Sequence, residues 1–194
     1  MKEISLEDTA REPALTYSSI EPQNWKSCHV TFKTQLEGCK GKNESRETIG
    51  RAFNSLISDH VSIQDTKVFT DGSVKENNMS GGAGCIIMPP APGEKSIIKE
   101  PTGKVCSSYR AEMWAIYHAL THLNEIKPTL PEQSSIWLFT DSESAISRLQ
   151  GGPGAQTEQL ADAIWKQIMA LSDFKITFQC TRVMLRSKET KKQI

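Results

Sequence analysis

Apolar positions keep a different rhythm in each part of the chain. Residues 1–45 hold scattered apolar side chains with no sustained period, interrupted by Glu12-Pro13, Glu21-Pro22 and Gly38-Cys-Lys-Gly-Lys-Asn-Glu-Ser45. That pattern reads as a poorly ordered extension or the remnant of a larger preceding domain. Residues 46–64 read as a linker in which Ile49, Phe53, Leu56 and Ile57 recur at helical spacing, predicting a short amphipathic helix over 46–59. From 65 to 180 the pattern is that of a folded domain. Apolar runs at Lys67–Ser73, Gly82–Met88 and Ser96–Lys99, joined by short turns and with the second stopped by Pro89-Pro90, predict three antiparallel strands. The stretch 107–126 is predicted to be a helix ending before Pro128. A strand at 135–140, a short helix at 142–149, a break at Gly151-Gly-Pro-Gly154, a helix at 157–171 and a strand at 174–180 follow. The order is β-β-β-α-β-α-α-β, and the crossover through the long helix makes the fourth strand parallel to the first. The predicted fold class is α/β, a mixed five-stranded sheet flanked by helices. Residues 181–194 form an atypical basic tail.

Composition narrows the partners. With 194 residues, 37% hydrophobic and 24% charged, the chain fits one domain plus an extension. Its 23 basic and 23 acidic residues cancel, so any nucleic acid must be met by a local patch rather than a global basic field. Five cysteines at 28, 39, 85, 106 and 180, without a C-x-x-C pair, argue against a zinc site or disulfide framework and for free thiols. There is no apolar run of the ~20 residues a membrane span needs, nor a signal-peptide core, and the expected location is intracellular, nucleus and cytoplasm undistinguished.

Three carboxylates change the picture. Asp71 closes the apolar run that begins at Lys67, and Asp141 closes the run Ile136-Trp-Leu-Phe139 in the same manner. Two such strands can bring both aspartates to one sheet edge, where ligands bind in open α/β sheets. Each has a plain alternative: Asp71-Gly72 fits a turn, and Thr140-Asp-Ser-Glu143 fits a helix capping box. Glu112 is harder to explain structurally, because Ala115, Ile116, Ala119 and Leu123 share its helix face. A carboxylate on an apolar face is costly unless something, such as a cation, compensates it. Trp114, Trp137 and Trp165 read as core, and Trp25 lies in the extension. His118 and His122 have metal-pair spacing without a third ligand nearby, and read as helix-surface or hydrogen-bonded core positions.

The phrases Thr70-Asp71-Gly72-Ser73, Ser107-Ser-Tyr-Arg-Ala-Glu112 with Ala115-Ile116 and Ala119-Leu120, and Phe139-Thr-Asp141-Ser-Glu-Ser-Ala-Ile146 resemble ribonuclease H of type 1. The likeness is strongest to the domains of non-long-terminal-repeat retrotransposon polyproteins, and it covers about 66–180. It implies a ribonuclease-H-like fold and hydrolysis of the RNA strand of RNA–DNA hybrids, leaving 5′-phosphate and 3′-hydroxyl ends. It also implies two Mg²⁺ ions, with Mn²⁺ able to substitute, held by four carboxylates. By motif match Asp71 is shared by both ions, and Glu112 and Asp141 help hold the one near the leaving group. Gly72, Ser73, Ser108 and Ser142 are the implied substrate-binding positions. The implied context is a larger polyprotein containing a reverse transcriptase, away from membranes.

The resemblance departs after the last strand. The family continues with a histidine loop and a helix carrying the fourth carboxylate in a Gly-Asn-Glu-x-Ala-Asp phrase. Here no histidine follows His122 and no aspartate follows Asp173. Back-translating 178–194 with permitted codons, and restoring one G within the Cys180 codon, makes the other frame read that missing ending. A frameshift near Cys180 is therefore expected, with the final helix missing. In the tail, Arg182, Arg186, Lys188, Lys191 and Lys192 could follow phosphates and Glu189 could stand in for the lost carboxylate. The simpler reading of out-of-frame residues is a frayed terminus with nothing to position Glu189. Losing the helix is expected to bare apolar sheet surface and lower stability. Two rival readings are a catalytically impaired hybrid-binding remnant and a transposase-type DNA nuclease, the latter disfavoured by the helix glutamate between two strand aspartates.

Overall fold

Six strands form one mixed sheet in this computed structural model, which describes residues 28–39, 44–75, 80–103 and 106–181. They are β1 (Val30–Lys33), β2 (Thr66–Val74), β3 (Gly81–Met88), β4 (Ser96–Pro101), β5 (Ser135–Thr140) and β6 (Lys175–Cys180), in the spatial order β1-β6-β5-β2-β3-β4. Strands β2, β3 and β4 are antiparallel, while β2–β5, β5–β6 and β1–β6 are parallel. The helices are α1 (Arg46–His60), α2 (Ser108–Ile126), α3 (Glu143–Gln150) and α4 (Gln159–Ala170).

The sequence predicts five strands, and the sixth is β1, from within the segment read as an extension. Its four residues are too few to establish a period. Tertiary packing makes it a strand: Val30 lies opposite Ile176 and Phe32 opposite Phe178, with the Phe32 ring stacked on Phe178 at 5.0 Å.

Alternation along the strands sends side chains to two cores. Val68, Ile136, Leu138, Ile176 and Phe178 pack with α2, α3 and α4, around the fully buried Trp165. On the other face Trp137 and Phe139 meet Ile49, Phe53 and Leu56 of α1. Serines begin three of the helices: Ser45, Ser107 and Ser142 accept from the backbone N–H of Thr48, Arg110 and Ala145.

The expectation of bare apolar sheet is overturned where α1 lies. Trp137 is 7% exposed and Phe139 0%, because α1 covers them, with the Phe53 ring edge-on to Phe139 at 5.3 Å. Asp65 fixes this layer from below. Its carboxylate accepts N–H bonds from Ser62 (2.8 Å), Ser135 (2.9 Å) and the Trp137 indole (3.2 Å), tying the loop after α1 to the start of β5.

The plain turn reading of Asp71-Gly72 also fails. Strand β2 runs on through Gly72 and Ser73 to Val74, which pairs with Gly81 of β3. The tail residues Arg182, Arg186, Lys188, Glu189, Lys191 and Lys192 lie outside the described residues, as does Trp25.

Candidate metal centre

Parallel pairing of β2 with β5 brings their ends to one edge of the sheet, with Phe69 opposite Phe139 as the last paired residues. Two residues further on, β2 presents Asp71, and β5 gives way to Asp141 just before α3 begins. Helix α2 crosses β2 at the same edge. The crossing is close because Gly72 has no side chain: a Cβ there would sit 2.2 Å from the backbone N of Glu112 and 2.4 Å from the carbonyl carbon of Ala111. Glycine is required at this position by helix contact.

Asp71, Glu112 and Asp141 each offer a carboxylate oxygen, and these atoms all lie within 4.8 Å of one another. Two oxygens on opposite sides of one ion are separated by about 4.2 Å for magnesium and about 5.2 Å for calcium, so the spacing suits a divalent cation. The donors are all hard oxygens, the ligand type such ions prefer. Among the described residues this is the acidic cluster that could hold a metal.

Electrostatics point the same way. Glu112 is 6% exposed, and its pKa is pushed up to about 8, first by burial and then by the charge of Asp141. The charge of Asp71 adds to the rise, and the hydrogen bond from the Gly72 amide opposes it. Like charges gathered in a poorly solvated site repel unless a cation balances them. Both oxygens of Glu112 are nevertheless held as acceptors. The Gly72 N–H donates to Oε1 at 2.8 Å, and the Thr140 hydroxyl lies 3.5 Å from Oε2 as donor.

The capping alternative for Asp141 is answered by its neighbour. Ser142, not Thr140, is the N-cap of α3, and its hydroxyl accepts from Ala145 N–H at 3.3 Å. The other positions named as substrate contacts separate clearly. Ser73 is exposed near the end of β2, and Ser108 is exposed at the first position of α2. The Gly72 amide is engaged with Glu112 and the Ser142 hydroxyl with its cap.

The two histidines of α2 do not form a metal pair. His118 stacks on Trp114 at 5.5 Å, and burial lowers its pKa against the charge of Glu100. His122 bridges Glu125 and Ser96, at 3.1 Å to each. All five cysteines are free, and burial raises the Cys85 thiol to about 12. No helix of the described residues is long and apolar enough to cross a membrane. Thr140 is the site residue that sequence reasoning missed. Its position in Phe139-Thr-Asp141 was visible, but a buried strand threonine has an ordinary packing explanation.

A comparison with curated proteins returns no match. The family model described as RNase H matches residues 63–184, well over half of the chain and the whole of the sheet from β2 to β6. With that match, the mixed sheet and the acidic cluster at its edge, the chain belongs to the RNase H family.

Proposed function

We propose that the domain is a divalent-cation-dependent endonuclease that hydrolyses the RNA strand of RNA–DNA hybrids, with Mg²⁺ as its ion and Mn²⁺ as a substitute. The observation that carries this reading is the convergence of Asp71, Glu112 and Asp141 within 4.8 Å in a chain of the RNase H family. Ions bound there would supply Lewis-acid stabilisation of the phosphoryl oxygens and a water acidic enough to attack near neutral pH.

The protein groups divide the remaining work by exposure. Asp71 and Asp141 are half-buried and are the carboxylates a phosphodiester backbone would meet, whereas Glu112 is buried. Fixed carboxylates reduce the reorganisation needed as charge moves from attacking to leaving oxygen. The exposed hydroxyls of Ser73 and Ser108 flank the cluster in sequence and are suited to hydrogen-bond a 2′-hydroxyl or phosphate. Selection of RNA over DNA rests on the 2′-hydroxyl and the A-like groove, not on base sequence. Origin in a retrotransposon polyprotein with a reverse transcriptase, and a frameshift near Cys180, belong to the same proposal and rest on the sequence resemblance.

The test is cleavage of an end-labelled RNA–DNA hybrid in Mg²⁺ and in Mn²⁺, with Asp71→Asn alongside. Cutting confined to the RNA strand and abolished in the variant is the expected result. Hybrid binding without cutting would replace this reading with that of a catalytically impaired remnant. Cutting of duplex DNA instead would favour a transposase-type nuclease.

A further inference from the structure

We propose that Thr140 is a positioning residue that sets the placement of Glu112 relative to Asp141 through its hydroxyl. The inference rests on the reading of the acidic cluster as a divalent-cation centre.

Glu112 comes from a helix, Asp71 from a strand and Asp141 from the bend that follows one, so something must register the helix carboxylate against both. The structure does this with the residues next to the aspartates. Gly72, which follows Asp71, donates to Oε1 of Glu112 at 2.8 Å, and Thr140, which precedes Asp141, donates to Oε2. Each oxygen of Glu112 is thus referred to the neighbour of one aspartate.

Thr140 is 0% exposed, and a hydroxyl buried in a strand is costly unless it is used. Valine would fill the same space and favour the strand more. The hydroxyl has one proton and two lone pairs. It accepts the Ser142 N–H at 3.2 Å, which leaves its proton for Glu112. At 3.5 Å that contact lies at the long end of the range for a hydrogen bond. The Thr140 carbonyl is pinned in turn by the Thr181 N–H at 2.8 Å and the Thr181 hydroxyl at 3.3 Å. Asp141 therefore sits between two anchored peptide groups, with the same threonine fixing its backbone and reaching Glu112. Donor chains of this kind polarise one another, so the N–H to O–H to carboxylate series is stronger than its separate links.

The experiment uses the full chain with Thr140→Val, which removes the hydroxyl at constant shape, and Thr140→Ser, which keeps it. Mn²⁺ affinity is measured by isothermal titration calorimetry, and hybrid cleavage is resolved into kcat and KM. We expect Thr140→Ser to bind Mn²⁺ as the parent does. Thr140→Val is expected to bind about tenfold or more weakly, the usual effect of losing a group that orients a metal ligand, with kcat lowered and KM for the hybrid unchanged. Equal Mn²⁺ affinity in all three chains would overturn the positioning role while leaving the cation reading intact. A Thr140→Ser as weak as Thr140→Val would overturn it too, by making the methyl group the important part. Absence of Mn²⁺ binding by the parent would instead overturn the cation reading, and this inference with it. Circular dichroism checks the fold, and Thr140→Ala, which deletes the same hydroxyl, replaces the valine variant if that one does not fold.

Discussion

The amide of Gly72 donates a 2.8 Å hydrogen bond to Oε1 of Glu112, and the same glycine is the point at which α2 touches β2. One residue therefore provides both the space for the helix and a donor for its carboxylate. The β2–α2 crossing and the cation cluster are one construction.

Replacing Gly72 with alanine should damage both. The new Cβ would fall 2.2 Å from the backbone N of Glu112, and backbone cannot rotate away as a side chain can. The helix must move, at a cost of about 1–3 kcal/mol or more for overpacking of this kind. Glu112 should move with it. Denaturant unfolding should show the loss, and Mn²⁺ should raise the melting temperature of Gly72→Ala much less than that of the parent. An unchanged Mn²⁺ response would mean that α2 can shift without carrying Glu112 out of the cluster.

Helix α1 is part of the core in the structure, and truncating its central ring should show it. Phe53 is 6% exposed and packs edge-on to Phe139. Phe53→Ala should cost about 3–5 kcal/mol, the usual range for a buried phenylalanine. Urea unfolding followed by tryptophan fluorescence is the appropriate measurement, because Trp137 lies in the same layer. A change below about 1 kcal/mol would mean that α1 is only loosely seated.

Much of this was legible in the sequence, and the misses have physical causes. The strands that carry Asp71 and Asp141 showed themselves because each is an apolar run ending in a charge. The long helix carried a continuous apolar stripe around Glu112. Strand β1 was not legible, since Val-Thr-Phe-Lys acquires its meaning from Phe178 and Trp165, more than 130 residues away. Asp71-Gly72 looked like a turn because local chemistry allows one. The decisive contact, with the backbone of Glu112 some 40 residues on, is tertiary. The capping box at Thr140 was misplaced by two residues, and only the structure shows that Ser142 caps α3 and leaves the Thr140 hydroxyl for Glu112.

Asp65 should prove structural rather than catalytic. Its carboxylate answers three N–H groups and is 7% exposed. Asp65→Ala would strand those donors at the junction of the α1 loop with β5, for a loss of about 2–4 kcal/mol. Mn²⁺ affinity, measured well below the unfolding transition, should stay at the parent value. A selective loss of Mn²⁺ binding in a chain of unchanged stability would contradict this.

The cluster should also make stability depend on pH in a direction opposite to that of an ordinary salt-bridged carboxylate. Folding raises the Glu112 pKa from 4.5 to about 8, through burial first and the charge of Asp141 second. Between those values the native chain holds a proton that the unfolded chain has released. The native state then binds more protons, so the contribution to unfolding free energy falls as pH rises from about 4.5 to about 8. Without divalent cations, and with a chelator present, the melting temperature should decline across that window. A cation competes with the proton for the same carboxylate, so the rise in melting temperature produced by Mg²⁺ should grow with pH. Asp141→Asn removes a charge that raises the Glu112 pKa, and it should end the decline in chelator at a lower pH while weakening the response to Mg²⁺. A decline that ran to the same pH in Asp141→Asn would mean that Asp141 does not raise the pKa of the titrating group, and a response to Mg²⁺ that shrank with rising pH would rule out competition at Glu112.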